Sequence, residues 1–343
     1  RDKMFKIFKI YYKNPKKLFL IINDRIKDKF LIIMYKFMSL FTDSIKLKKF
    51  ISIKLSKTNK KVLEITPQIG CTMMCSYCPQ TLIVSEAREQ NAEKILEINK
   101  FEKMINNIPR DTLISWAGYT EPLLHSNFID FVELLNQKGF VQKINTTLHG
   151  KNICQEFMSK TNIFKYVGFH LPDNDGLMKL SVNDHYIDYL EKAIRHQSKI
   201  LEKNCLDIKI IGNNPHEKIS LLLNKLIEEK IISEKIIHTG NQISSRNNYI
   251  DQKSKKFNFF RYFNDPNRGK LYYCSYKKLN SGVLLPSGEV NLCCNDYSLG
   301  FSLGNLLDQN LDELKKHEKL MANTNFFTGD MNVCNKCEYY KSI

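Results

Sequence analysis

Three cysteines at short spacing are the residues of this sequence best suited to chemistry. Cys71, Cys75 and Cys78 stand in the pattern Cys-x3-Cys-x2-Cys, within Cys71-Thr-Met-Met-Cys75-Ser-Tyr-Cys78. These spacings bring three thiolates to one small centre, and thiolates select zinc or iron–sulfur clusters. A structural zinc site needs four ligands and usually pairs one Cys-x2-Cys with another. Three thiolates favour a [4Fe–4S] cluster in which one iron keeps an open position for chemistry.

Composition shows what kind of chain carries these cysteines. Of its 343 residues, 43% are hydrophobic and 26% charged. The chain can therefore bury a sizeable core, and it is neither disordered nor collagen-like. Disulfide-dense secreted domains are short, whereas the ten cysteines here lie in a long chain. Their clustering favours metal binding and predicts a cytoplasmic protein.

The net charge of the chain is strongly positive. Lys and Arg number 52 against 36 Asp and Glu, which gives +16. Such an excess could attract nucleic acid, an anionic membrane or a phosphorylated substrate. Abundant Lys, Ile and Asn favour background composition as the explanation. No basic stripe with interleaved aromatic residues is visible, which argues against a nucleic-acid partner.

Short apolar strands alternate with helical stretches between residues 60 and 265, and they must position the cysteines. Such repetition with short connections implies parallel βαβ units. About six units fit, fewer than the eight of a closed barrel. The fold class is α/β, a partial (βα)6 barrel over residues 61–265. The predicted strands are Val62–Thr66, Thr112–Trp116, Val141–Thr146, Tyr166–Leu171, Leu206–Ile211 and Lys235–His238. The predicted helices are Ala92–Asn107, Phe128–Lys138, Asn152–Ser159, Tyr186–Gln197 and His216–Glu229.

Two flanking segments depart from this repeat. Residues 1–60 are basic and apolar-rich, and their periodicity predicts an N-terminal extension of two amphipathic helices. The apolar runs Leu18–Ile22 and Leu31–Met34 are shorter than the ~20 residues of a membrane span. Such helices either pack on the main domain or rest on a membrane surface or partner. Residues 266–343 hold five cysteines between glycine-punctuated segments, which predicts a small cysteine-rich, metal-organised domain.

The cysteine triad after the first strand resembles that of the radical S-adenosylmethionine enzymes. Trp116-Ala-Gly-Tyr-Thr-Glu-Pro-Leu-Leu-His125, after the second strand, resembles the family's Gly-Gly-Glu region, with Thr120 replacing the second glycine. Asn145-Thr-Thr147 stands where relatives often carry Thr-Asn-Gly. The resemblance implies a [4Fe–4S] cluster on the triad and places Tyr77 near the adenine of S-adenosylmethionine. The other residues it assigns to that cofactor's site are Gly118, Tyr119, Thr120, Glu121, Asn145 and Thr147.

The reaction is also implied by this resemblance. An electron donor such as flavodoxin or ferredoxin would reduce the cluster, S-adenosylmethionine would be cleaved, and a 5′-deoxyadenosyl radical would abstract a substrate hydrogen atom. His170 and Asp173 end a predicted strand, where a barrel faces its substrate. They and Asp296 are the candidate catalytic residues. His125 is expected only to pack or cap.

The C-terminal cysteines resemble the SPASM/twitch extension of the same superfamily. Gly288-Glu-Val-Asn-Leu-Cys293, then Gly304-Asn305, then Cys334-x2-Cys337 follow its usual order. The resemblance implies one auxiliary [4Fe–4S] cluster, and four-coordinate zinc is the alternative. Cys293 is preferred to its neighbour Cys294, which suits a buried small hydrophobe. The proposed ligands are Cys274, Cys293, Cys334 and Cys337.

Several substrates fit this resemblance. A sugar- or cyclitol-type small molecule that is oxidised or epimerised is favoured. A peptide substrate, as in sulfatase maturation or ribosomal-peptide modification, is the alternative. RNA modification and a non-catalytic electron carrier are less favoured. Peripheral membrane contact through residues 1–60 remains open.

Overall fold

A computed structural model describes residues 24–39, 45–150, 154–200, 205–239, 272–275, 279–321, 334, 337 and 339–342. Within these ranges the strands are β1 Lys57–Ile65, β2 Leu113–Trp116, β3 Gln142–Thr146, β4 Phe164–Pro172, β5 Leu206–Ile211, β6 Ile237–His238, β7 Tyr272–Cys274, β8 Leu279–Leu284, β9 Glu289–Asn291, β10 Ser302–Asn305 and β11 Tyr340–Ser342. The α-helices of the same ranges are α1 Asp24–Ser39, α2 Ile45–Ser56, α3 Gln80–Glu89, α4 Ile98–Asn106, α5 Phe128–Gln137, α6 Cys154–Lys160, α7 Asp184–Ile200, α8 Glu217–Glu228 and α9 Leu311–Met321.

Nine of these strands form one sheet in the order β10-β9-β8-β1-β2-β3-β4-β5-β6. Strands β1 to β6 are neighbours in chain order, and each pairs with the next in parallel. Parallel neighbours need a crossover connection, which helices α4 to α8 provide. The predicted α/β class with six sequential parallel strands is therefore confirmed. The domain boundaries themselves stay a prediction.

The sheet has one apolar face and one polar face. Residues such as Ile65, Phe169 and Ile208 share a continuous buried core with helix residues such as Phe131 and Leu226. Side chains alternate along a strand, so the intervening residues lie on the face away from the helices. That face carries Glu64, Ser115, Lys143, Asn145, Tyr166, His170, Asp207 and Lys209. We call this polar side of the sheet the inner face. Unlike a closed apolar core, it can contact a hydrophilic molecule.

The C-terminal segment adds three strands to the same sheet. Strand β8 pairs in parallel with β1, with Val62 opposite Ser281 and Ile65 opposite Leu284. Strands β9 and β10 continue from it as antiparallel neighbours. The cysteine-rich segment is thus joined by backbone hydrogen bonds to the strand that leads into the Cys71 loop.

The N-terminal helices pack beside the small β7–β11 pair. Ile51 and Leu55 of α2 are buried with Tyr35 of α1, and Tyr273 of β7 packs against them. The backbone N–H of Cys274 donates to Ser56 Oγ at 2.9 Å. Two helices are confirmed for the described part of residues 1–60, while Leu18–Ile22 lies outside the described residues. Among the described helices, none has the length and apolarity required to cross a bilayer.

The helix predicted for Ala92–Asn107 begins only at Ile98. The preceding residues are extended because they pair with the chain before the cysteine triad. The Ile69 N–H donates to Lys94 O, and the Leu96 N–H donates to Pro67 O. Helix α3, which directly follows the triad, was not predicted.

Candidate functional site

The cysteine triad lies in the loop that follows β1. Cys75 is buried, and Cys71 and Cys78 are half-buried. All three belong to a small cluster centred on Met73, Cys75 and Met178, against which Tyr77 also packs. Met74 adopts φ +47°, in the left-handed region that non-glycine residues rarely occupy. The left-handed residue bends the loop between Cys71 and Cys75.

Burial sets the protonation of these thiols in the protein alone. Desolvation raises the pKa of Cys71, and the neighbouring Glu121 and Cys75 raise it further. Desolvation likewise raises the pKa of Cys75, with Cys78 nearby. A cationic centre would reverse this effect because metal binding deprotonates thiols. The site thus disfavours free thiolates and suits thiolates neutralised by a bound cation.

The spacing of the side chains bears on the kind of centre. Among the described residues, no three His, Cys, Asp or Glu side chains converge closely enough to hold a single metal ion. A lone zinc ion with Zn–S bonds of about 2.3 Å demands such close convergence. A four-iron cluster holds its thiolates further apart, at separate irons. Both cysteine sites offer thiolate donors, which zinc and iron–sulfur clusters each accept.

The loop after β2 is tied directly to the triad. The Thr120 hydroxyl donates to Gly70 O at 3.2 Å, and the Tyr119 N–H donates to Thr66 Oγ1 at 3.1 Å. Gln80, which follows Cys78 by two positions, donates from Nε2 to Tyr119 O. The same amide nitrogen lies 3.2 Å from Cys78 Sγ. The two segments that the sequence links to one cofactor are therefore adjacent.

Gly118 is required by this close approach. It adopts φ +62°, and a Cβ there would overlap Thr66 Oγ1 and lie 3.1 Å from Ile65 O. We expect Gly118→Ala to lower the unfolding free energy more than Gly139→Ala. Gly139 has φ +78° but no atom within 4 Å of its Cβ position. Both variants incur about 1–2 kcal/mol of left-handed strain, and Gly118→Ala adds ~1–3 kcal/mol of overlap. Urea unfolding followed by circular dichroism measures both, and equal losses would contradict the close-approach argument.

Glu121 is buried at the base of the β2 loop, where donors from β3 surround it. Thr146 Oγ1 donates to its Oε1 at 2.6 Å, and Thr147 donates to Oε2 from its N–H at 2.7 Å and its hydroxyl at 2.8 Å. Desolvation raises the pKa of Glu121, although these hydrogen bonds act in the opposite direction. In the structure this carboxyl group therefore joins the ends of β2 and β3.

Residues at the end of β3 continue the site. Thr147 Oγ1 also lies 3.3 Å from Met73 Sδ, and the Tyr186 hydroxyl of α7 donates to Thr147 O. Asn145 Oδ1 is buried with no hydrogen-bond partner among the described residues. It lies beside Gly168, where a Cβ would overlap it. This orphaned acceptor, next to a residue without a side chain, is a place for a ligand hydroxyl or amine.

The end of β4 holds two of the predicted catalytic residues. His170 is half-buried on the inner face, opposite Lys209 of β5. Asp173 is buried, and its Oδ1 accepts the Leu177 N–H at 3.1 Å. Leu177 O in turn accepts the Ser76 N–H and hydroxyl. Asp173 thereby organises the loop that packs on the triad. Its Oδ2, without a partner among the described residues, abuts Gly212 in the Ile211–Pro215 segment.

Asp296 occupies a different environment. Its carboxylate accepts hydrogen bonds from the Ser298 hydroxyl and from the N–H groups of Gly300 and Phe301. Desolvation raises its pKa against these bonds. Three donors of its own loop make this carboxylate a structural loop cap, and its catalytic role stays a prediction. His125 is a cap as well, because its Nδ1 accepts the Asn127 N–H ahead of α5.

Two tyrosines join the triad to the C-terminal cysteines. The Tyr119 hydroxyl donates to Cys293 O and Asp296 O, each at 2.9 Å. Tyr119 packs edge-on against Tyr297, with ring centroids 4.9 Å apart. The Tyr297 hydroxyl lies 3.5 Å from Cys78 Sγ. No sequence pattern indicates Tyr297 or Gln80, because the contact of Tyr297 with Cys78 and that of Gln80 with Tyr119 depend on how separate segments meet.

The C-terminal cysteines fall into two environments. Cys274, Cys293, Cys334 and Cys337 all pack against the main core, whereas Cys294 packs against the separate cluster that contains Tyr119, Tyr297 and Cys78. Desolvation raises the pKa of Cys334 well above its ordinary value, and nearby Cys274 and Cys337 add to the effect. Strand β11 pairs with β7 through Tyr340 and Cys274, and the Tyr340 N–H donates to Cys337 O, which places Cys274 near Cys337. The packing separates Cys294 from the other four, and the ligand set Cys274, Cys293, Cys334 and Cys337 stays a prediction.

Asp207 is the centre of an ionic network on the inner face that the sequence alone did not indicate. Asp207 Oδ2 accepts from the Tyr166 hydroxyl at 2.6 Å and lies 3.0 Å from Lys209 Nζ. His238 Nε2 lies 2.8 Å from its Oδ1. Burial alone would raise the pKa of Asp207, but Tyr166 and Lys209 outweigh it and lower that pKa. The alternation of polar residues along β4 and β5 is the sequence pattern that could have predicted this network.

Comparison with known proteins agrees with this geometry. A family model described as an iron–sulfur cluster-binding domain, SPASM, matches residues 268–338. No curated protein sequence matches the chain. The crystal structure of BtrN in complex with AdoMet and 2-DOIA has 14% sequence identity and a TM-score of 0.50, over 82% of this chain and 94% of that one.

Two further solved structures are similar over most of the chain. Native anSMEcpe with bound AdoMet has 15% identity and a TM-score of 0.46, over 81% of this chain and 86% of that one. Streptococcus suis SuiB bound to precursor peptide SuiA has 14% identity and a TM-score of 0.43, over 78% and 67%. Residues 268–338 therefore match the SPASM iron–sulfur cluster-binding family model, and the chain shares the fold of BtrN.

Proposed function

We propose that this protein is a radical S-adenosylmethionine enzyme with two [4Fe–4S] clusters. The observation that carries the proposal is the contact between the cysteine triad and the Gly118–Glu121 loop, joined through Thr120 and Gln80. Cys71, Cys75 and Cys78 would hold the first cluster, and Cys274, Cys293, Cys334 and Cys337 the auxiliary one. S-adenosylmethionine, bound at the first cluster, supplies a carbon radical able to remove a hydrogen atom from an unactivated C–H bond.

The residues around the triad fit such a cofactor. Asn145 Oδ1 offers a buried acceptor without a partner among the described residues, at the carboxyl end of β3. Tyr77 packs on the cysteine cluster and offers an aromatic surface. Glu121 holds Thr146 and Thr147 in place, so its contribution includes fixing the β3 end against the triad. Met73, Met178 and Ile211 line the same cluster and exclude water from it.

The inner face supports a small hydrophilic substrate, such as a sugar or cyclitol that is oxidised or epimerised. Tyr166, His170, Asp207 and Lys209 present donors and acceptors along β4 and β5. Hydroxyl groups match such a face, because each needs a donor or acceptor when it leaves water. Asp173 is buried directly after β4, its Oδ2 has no hydrogen-bond partner among the described residues, and it would accept a substrate proton. A peptide substrate is the alternative, and an external flavodoxin- or ferredoxin-type donor would supply the electron.

Anaerobic reconstitution tests the proposal. We expect about eight irons per chain for two four-iron clusters, and 5′-deoxyadenosine after addition of dithionite and S-adenosylmethionine. About four irons with stoichiometric zinc would assign the C-terminal site to zinc. A full cluster content without cleavage of S-adenosylmethionine, in the presence of candidate sugars, cyclitols and peptides, would contradict the proposal.

Lys209→Met tests the inner face as the substrate site. Lys209 is one-third exposed and pairs with Asp207, so its loss removes a charged donor that a hydroxylated substrate could use. We expect substrate conversion to fall at least about tenfold, or ~1.4 kcal/mol in transition-state stabilisation. Uncoupled 5′-deoxyadenosine formation should persist, because the triad is unchanged. Lys165→Met, at an exposed position on the neighbouring strand β4, is the control. Equal conversion by the two variants would place the substrate elsewhere.

A further inference from the structure

The positive charge of the chain is concentrated at its N-terminal end. Residues 1–60 contain 17 Lys and Arg against four Asp and Glu, a net charge of +13 out of +16. The remaining 283 residues contain 35 Lys and Arg against 32 Asp and Glu, a net charge of only +3. Background composition would distribute the excess along the chain. The N-terminal segment therefore has its own reason to be basic.

Helix α1 in this segment has apolar residues on two opposite sides. Tyr35 is buried, and Leu31 and Ile32 are partly buried, where α1 packs on α2 and Tyr273. On the other side, Ile26, Phe30 and Ile33 are 57%, 59% and 66% exposed. At 3.6 residues per turn these three positions fall within about 60° of one another around the helix axis. They form a continuous apolar stripe on the surface, which we call the α1 stripe.

Basic side chains flank the α1 stripe. Lys29 and Lys36 are exposed, and their spacing of seven residues places them along one border of the stripe. Lysine stems can lie along an apolar surface while the ammonium groups reach towards phosphate. On α2, the exposed Phe50 ring has Lys54 Nζ 5.7 Å from its centroid. Exposed aliphatic and aromatic residues beside cations are typical of helices that lie in a membrane interface.

We propose that the α1 stripe docks the protein onto a membrane surface rich in anionic phospholipid. Ile26, Phe30 and Ile33 would enter the headgroup–acyl boundary, and the flanking Lys29 and Lys36 would contact the lipid phosphates. A nucleic-acid partner would account for the positive charge but would leave the α1 stripe exposed to water. A lipid surface accounts for both the charge and the apolar stripe. The helix pair also holds β7 through Ser52 and Ser56. Docking would therefore fix the barrel and its C-terminal cysteines at a set orientation to the membrane. This inference is independent of the proposed chemistry.

Vesicle co-sedimentation of the full chain tests the inference. The probes are vesicles of phosphatidylcholine alone and of phosphatidylcholine with phosphatidylglycerol. We expect binding to the anionic vesicles that weakens with salt, since each basic residue near an anionic surface contributes about fivefold in affinity. The variant I26S/F30S/I33S should bind at least tenfold more weakly. The control I95S/I200S/L221S changes three residues that are exposed elsewhere and should bind as the wild type does.

Two further measurements keep the result interpretable. Circular dichroism and thermal unfolding must show that both triple variants fold. Lys29→Gln with Lys36→Gln, which leaves the stripe intact, should weaken binding to anionic vesicles and leave binding to neutral vesicles unchanged. Equal vesicle binding by wild type and the stripe variant would overturn the inference. So would an oligomer that the stripe variant alone abolishes while vesicle binding persists, because the stripe would then join two copies of the chain.

Discussion

Changing any one of Cys71, Cys75 and Cys78 to Ser is expected to abolish 5′-deoxyadenosine formation. A serine hydroxyl is a poor iron ligand, and all three thiols pack in the cluster around Met73 and Met178, which contains no further cysteine of the described residues. Iron content should fall from about eight to about four per chain as one four-iron cluster is lost. The C-terminal cluster should persist, because its cysteines pack against a different core. Iron and sulfide analysis, with chromatography of the nucleoside product, measures both effects.

Cys205→Ser is the matched control for this prediction. Cys205 is a half-buried cysteine directly before β5 and lies in neither cysteine site. Its variant should keep both the iron content and the cleavage activity. Full activity in a Cys75→Ser variant would contradict the assignment of the triad as the cluster site. A loss of all eight irons would instead show that the C-terminal site depends on the first.

Changing Cys293 to Ser is expected to remove the auxiliary cluster, whereas changing Cys294 is not. Cys293 shares the main core with Cys274, Cys334 and Cys337, while its neighbour packs towards Tyr119 and Tyr297. Iron should therefore fall by about four per chain in Cys293→Ser alone. Cleavage of S-adenosylmethionine should persist in both variants because the triad is intact. We also expect substrate oxidation to fail in Cys293→Ser. A substrate radical that is oxidised must pass one electron to an acceptor, and the auxiliary cluster would be that acceptor.

Two adjacent cysteines make this a controlled comparison. Both variants change one thiol in the same loop, so loop destabilisation alone would affect them similarly. Iron loss in Cys294→Ser with retention in Cys293→Ser would reverse the ligand assignment. Four retained irons with zinc released from Cys293→Ser would favour the zinc alternative. Mössbauer spectroscopy of the reconstituted variants distinguishes the cluster types directly.

Much of the barrel could be predicted because its parallel strands are buried on one face by helices. Leu206–Ile211 was predicted with the observed bounds, and Phe128–Gln137 within one residue. Strong apolar periodicity identifies such elements without knowledge of their partners. The prediction of helix at residues 92–97 is wrong because the conformation there depends on a partner segment elsewhere in the chain. Local helical preference there is overridden by backbone pairing with residues 67–69.

The cysteine clusters could be predicted from spacing, but their surroundings could not. Spacing shows which thiols are near in sequence, whereas the contact of Tyr297 with Cys78 joins positions 219 residues apart. The Thr146 and Thr147 donors to Glu121 likewise depend on the ends of β2 and β3 meeting. No local sequence pattern indicates that β8 pairs with β1, because β1 could equally have been the edge strand of the sheet.

The parallel pairing of β1 with β8 has a consequence for biosynthesis. Leu63 pairs with Gly282, so the two strands emerge from the ribosome far apart in time. At about 5–20 residues per second, the nascent chain presents an unpaired β1 edge for on the order of 10–40 s. An open edge invites pairing with another chain, and such long-range contacts form slowly. Expression at low temperature, with chaperones that shield this edge, would therefore raise the yield of folded protein before any iron is inserted.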